Sequence, residues 1–147
     1  MKKFEFTLES LRKYNEQILD SEKNILGKLR AELGDLQDEL ESTNARYDEA
    51  REKLAQLLMG GTDAMRLSVS KKYISSLQQD IYRIKAKIAA KNEEIKAQLD
   101  KVIEATKEVT KLEKLEEKQR EEYKYAEQKE SEQFIEEFVS NASFYEK

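Results

Sequence analysis

The sequence predicts an all-α protein: a long antiparallel two-helix coiled-coil hairpin whose second helix projects past the first. Three observations predict it. Apolar residues recur at heptad spacing on both sides of a single glycine pair, Gly60-Gly61. Proline is absent, and glycine occurs only four times in 147 residues, too few breakers for a many-stranded β-fold. Charged residues make up 39% of the chain and apolar ones 38%, which suits a narrow seam better than a thick globular core.

The first helix is predicted over about residues 5–58. Leu19, Leu26, Leu33, Leu40, Tyr47 and Leu54 recur every seven residues. Three positions after each stand Glu22, Leu29, Leu36, Thr43, Ala50 and Leu57, which completes an a/d seam. Leu11, Ile18 and Ile25 form a second stripe beside it, so the apolar face is wider here, as if a third surface covers it. Gly27 and Gly34 each cost this helix about 1 kcal/mol relative to Ala. They read either as tolerated surface positions or as a bend.

A turn is predicted over about residues 59–63, because glycine enters the left-handed region cheaply and ends a helix. Thr62 or Asp63 can then cap the next helix by accepting a backbone N–H bond. The second helix is predicted over about residues 64–140. Leu67, Ile74, Ile81, Ile88, Ile95, Val102 and Val109 occupy its a positions, and Ser70, Leu77, Ile84, Lys91, Gln98, Ala105 and Leu112 its d positions. After Leu112 the phase slips, as in a coiled-coil stutter. The whole chain, 1–147, reads as a single coiled-coil domain.

Folding at the glycines makes the numbers of facing residues add to about 124, and helix 1 then ends while thirty-odd residues of helix 2 remain. Charge favours this pairing. Residues 1–58 carry 10 basic and 13 acidic side chains, and residues 63–112 carry 11 and 7, so an acidic arm meets a basic one. Residues 113–147 carry 6 basic and 11 acidic side chains.

Composition narrows the chemistry. With no Cys and no His, the chain lacks a thiol nucleophile, the commonest general base and the commonest transition-metal ligand. Gly60-Gly61-Thr62-Asp63 lacks the Lys of a phosphate-binding loop. No catalytic, cofactor-binding or metal-ligating residue is predicted, and the chain is not expected to be an enzyme. A net charge of −4 argues against nucleic-acid binding. Glu5 and Glu9 interrupt any signal-peptide core, and no run approaches the ~18 apolar residues of a membrane span. The expectation is a cytoplasmic protein with no direct membrane insertion, monomeric when free.

The aromatic residues are the best candidates for partner contact. Tyr47 lies in the seam, while Tyr73 and Tyr82 lie off it on the facing arm. Phe4, Phe6, Tyr123, Tyr125, Phe134, Phe138, Phe144 and Tyr145 gather toward the open end. This second set reads either as a local cap joining the N-terminus to the projecting helix or as an apolar plug for another protein.

The opening Phe4-x-Phe6-x-Leu8-x-x-Leu11 resembles the start of FliJ proteins of the bacterial flagellar export apparatus, and the acidic stretch from Leu112 to Tyr123 resembles their close. Length and the two heptad arms agree. The resemblance implies a stalk like the γ subunit of rotary ATP synthases. Such a stalk enters the hexameric export ATPase (FliI-like), couples it to the export gate protein (FlhA-like) and handles export chaperones, peripherally at the inner face of the cell membrane. Related stalks serve injectisomes. On that reading Phe4, Phe6, Leu8, Leu11, Tyr123, Phe134 and Phe138 meet the ATPase, and Tyr47, Tyr73 and Leu77 meet the gate. The competing readings are a scaffold coiled coil that oligomerises through its heptads and a holdase chaperone.

Overall fold

The computed structural model describes residues 2–146, with side chains as far as Ser143. Two helices pack against each other as a helical hairpin: α1, Glu9–Gly60, of 52 residues, and α2, Ala64–Glu146, of 83. There is no strand among the described residues. Among the described residues Gly61 alone takes the left-handed conformation, at φ +82°, and ends α1. Asp63 caps α2, its Oδ1 accepting the Arg66 backbone N–H at 2.8 Å. A Cβ added at Gly27 or Gly34 would meet open space, which favours the tolerated-surface reading of both.

The helices contribute to two compact units, Glu22–Val102 and the combination of residues up to Ser21 with those from Ile103. In the Glu22–Val102 unit every heptad a and d side chain is buried or half-buried. Cross-helix hydrogen bonds join Tyr47 to Gln78, Glu32 to Lys91 and Glu22 to Gln98, pairs whose numbers add to between 120 and 125. That is the register set by a hairpin closing at Gly61.

The polar seam positions are satisfied in different ways. Thr43 is fully buried, and its hydroxyl donates to the Glu39 carbonyl one turn back at 2.8 Å. It therefore needs no partner on α2. Gln98 donates through Nε2 to the Glu22 carbonyl at 3.0 Å and to the Glu22 carboxylate. Lys91 runs its stem along the seam and places Nζ between Glu32, at 2.7 Å, and Glu94, at 3.1 Å.

The Lys91 pair gives a pH signature. Its hydrogen bond to Lys91, and then the ammonium charge, hold the Glu32 carboxyl below its ordinary range, and the bonds to Glu32 and Glu94 raise Lys91. A depressed carboxyl contributes stability that is present above its unfolded pKa, about 4.3, and lost as pH falls through the folded value. A raised ammonium contributes stability that is present below its unfolded pKa, about 10.4, and lost as pH rises through the folded value. The melting temperature of the parent relative to Lys91→Met is therefore expected to be highest between these ranges and to decline toward both extremes. A difference that stays flat with pH would contradict the pairing.

The other unit departs from the heptad reading at its start. Residues 2–8 are not helical, and α1 begins at Glu9 rather than near residue 5. The reason is steric. In a helix, Phe4 and Phe6 would point about 200° apart, whereas in an extended segment residues i and i+2 share a face. Outside a helix the Phe4 ring reaches Tyr123 and Arg120 on α2 while Phe6 is also buried. At the other end α2 runs to Glu146, past the expected stop near residue 140.

Candidate functional site

The N-terminal segment and the last seam turn of α2 build one cluster. The Phe4 ring meets Tyr123 edge-on, with centroids 5.5 Å apart at 61°. The Arg120 guanidinium lies 4.6 Å from the Phe4 centroid, a cation–π contact. The Tyr123 hydroxyl donates to the Lys2 carbonyl. Beneath them Arg12, seven residues before Leu19, takes a seam position. It reaches Glu116 at 3.3 Å and Glu9 at 2.5 Å. Glu116 also accepts from Arg120 at 3.1 Å. Its carboxylate thus holds two arginines, one on each helix. Counting back one heptad from Leu19 gives the position of Arg12, but periodicity carries no signal for its ion pairs.

Seven residues were expected to form one partner-binding end, and the structure separates them. Phe4, Phe6 and Tyr123 come together as a cap. Leu8 and Leu11 are partly exposed, and Leu11 continues into the stripe of Tyr14 and Ile18, also exposed, on the outside of α1. Phe134 and Phe138 stand 11 and 15 residues beyond Tyr123, roughly 16 and 22 Å along the helix. From Lys124 to Ser143 every side chain of α2 is exposed, so α1 covers none of this stretch. Phe134, Ile135, Phe138 and Val139, at i, i+1, i+4 and i+5, make an apolar stripe on it, with Phe134 70% and Phe138 67% exposed. Glu127, Glu130, Glu132, Glu136 and Glu137 make the same stretch acidic. The side chains of Phe144 and Tyr145, part of the same expectation, lie outside the described residues.

The three residues expected at the gate contact also differ from one another. Leu77 is only 2% exposed and is a seam residue, closed to a partner while the hairpin is folded. Its d position in the heptad already implied this. Tyr47 is half-buried; its hydroxyl accepts from Gln78 Nε2 at 3.0 Å, and Arg51 lies 5.7 Å from its ring. It fills the seam. Tyr73 is half exposed and is the one of the three open to contact.

The family model described as Flagellar FliJ protein matches residues 4–146, from the Phe4 of the cap through the apolar stripe of the α2 tail. No curated protein and no solved structure shows a significant match to the chain.

Proposed function

Because the chain belongs to the flagellar FliJ protein family and is thus a component of the flagellar export apparatus, we propose that it is a stalk that binds and stimulates the hexameric export ATPase. On this reading it hydrolyses no ATP itself, couples the ATPase to the FlhA-like gate and handles export chaperones. The observation that carries the proposal is the uncovered tail of α2. A helix with an apolar stripe and an acidic face loses stability standing alone in water and gains it by docking. Twenty exposed residues of it rise from the cap, roughly 30 Å of helix.

The hydrophobic cap supports the same reading from the opposite direction. It ties the N-terminal segment to α2 and so stiffens the base from which the tail rises. A single helix, 10–12 Å across, or a helix pair roughly twice that, is narrow enough for the central hole of a ring. Its unlike faces would contact six identical subunits differently, and differential contact energy is what shifts their populations.

The binding half of the proposal is tested by capture of the purified export ATPase on the immobilised chain. The full chain is expected to retain it and a chain lacking residues 124–147 to lose it. Equal retention by both would remove the tail from the interface, and no retention by either would sink the ATPase reading.

A further inference from the structure

We propose that the hairpin tip is a membrane-contact site that docks on the anionic surface of a lipid bilayer. The tip is the chain reversal between α1 and α2, within the Glu22–Val102 unit. Its side chains are apolar and uncovered: Met59 is 90% exposed and Met65 78%, with Leu58 and Val69 also more than half exposed. A tight turn needs none of these residues; Gly61 and the Asp63 cap already make the reversal. Four large apolar side chains held in water at one end of a chain this polar call for a covering phase.

The charge around the tip identifies that phase. From Arg51 to Lys72 the chain carries five basic and two acidic residues, against an overall net charge of −4. Asp63 is engaged as the α2 cap and lies 3.9 Å from Arg66. Lys71 and Lys72 have no carboxylate within ion-pair reach among the described residues. With Ser68 and Ser75 they line a shallow groove of about 410 Å³ on the first turns of α2. Two ammonium groups and two hydroxyls are donors suited to a phosphate-bearing headgroup.

Depth fits as well. Lys72 follows Met65 by seven residues on the same helix, a rise of about 10 Å, comparable to the 5–10 Å over which an apolar face buries below the headgroups. Methionines and a leucine at the boundary with lysines one to two turns behind match the layering of a leaflet. A protein partner fits less well, because Leu58, Met59, Met65 and Val69 include no aromatic anchor. Unbranched, flexible Met side chains adapt to a fluid phase. The contact is peripheral, since among the described residues no helix is long and apolar enough to cross a membrane.

The test is flotation of the full chain with vesicles of phosphatidylcholine alone and with added phosphatidylglycerol. Binding is expected only to the anionic vesicles and to fall with salt. Each cation near an anionic surface strengthens partition about fivefold, so Arg66→Gln/Lys71→Gln/Lys72→Gln should weaken it on the order of 100-fold. Met59→Asp/Met65→Asp should weaken it about tenfold or more while leaving the melting temperature unchanged, because both side chains are already in water. Equal binding to the two vesicle types, no binding to either, or undiminished binding by both variants would overturn the proposal. So would capture of glycerol phosphate or inorganic phosphate by the groove without any vesicle binding, which would make it a site for free anions.

Discussion

Ile84→Asp is expected to unfold the hairpin around it. Ile84 is 4% exposed in the middle of the α2 seam. The substitution removes about 2 kcal/mol or more of apolar burial and places a carboxylate in the seam, at a further cost of several kcal/mol. A domain with a net stability of about 5–15 kcal/mol does not absorb that readily. The contrast with Lys91 explains the severity. Lys91 occupies the equivalent d position one heptad later and lifts its charge out of the seam on a four-carbon stem to Glu32 and Glu94. Aspartate has one methylene and stays where it is put. Glu49→Gln is the control, since Glu49 is exposed and pairs only with Lys53 on its own helix. It should change stability by no more than about 0.5 kcal/mol. Thermal melts followed by circular dichroism check both, and equal melting temperatures would refute the seam.

Phe134→Asp/Phe138→Asp is expected to abolish capture of the export ATPase without moving the melting temperature. Both rings are mostly exposed, so little folded-state packing of the chain is lost. Aromatic hot spots contribute about 2 kcal/mol each or more at an interface, so the pair predicts a loss of about a thousandfold. The cap behaves oppositely. Phe6→Ala removes a buried ring and should lower the melting temperature of the unit that holds it. This pair of variants separates the two proposed roles, stability for the cap residues and binding for the stripe residues. A double variant that melts like the parent and still captures the ATPase would take the stripe out of the interface.

The seam of the hairpin could be read almost entirely from the sequence, because one period of seven with a single glycine break leaves little choice of pairing. Tyr47 and Leu77 show the cost of setting that period aside. Both occupy seam positions and are covered in the folded hairpin, which leaves Tyr73 as the exposed one of the three expected gate contacts. The start of α1 was misplaced for a different reason. Phe4-x-Phe6-x-Leu8 alternates with period two, the signature of an extended segment rather than of a helix. What periodicity cannot supply is the choice between the two destinations of an apolar side chain off the seam. Phe4 and Phe134 look alike in sequence, yet one folds back onto α2 beside Arg120 and the other stands exposed on the uncovered part of α2. The same holds for Met59 and Met65, which lie off the heptad and stand 90% and 78% exposed.

The central claim is that this chain is a non-hydrolysing stalk that activates an export ATPase through the uncovered end of α2. The most direct measurement is steady-state ATP turnover by the purified export ATPase, alone, with the full chain, with residues 124–147 removed, and with Phe134→Asp/Phe138→Asp. The account predicts that the full chain raises turnover, that neither altered chain does, and that the full chain without the ATPase releases no phosphate. Turnover unchanged by the full chain would contradict it.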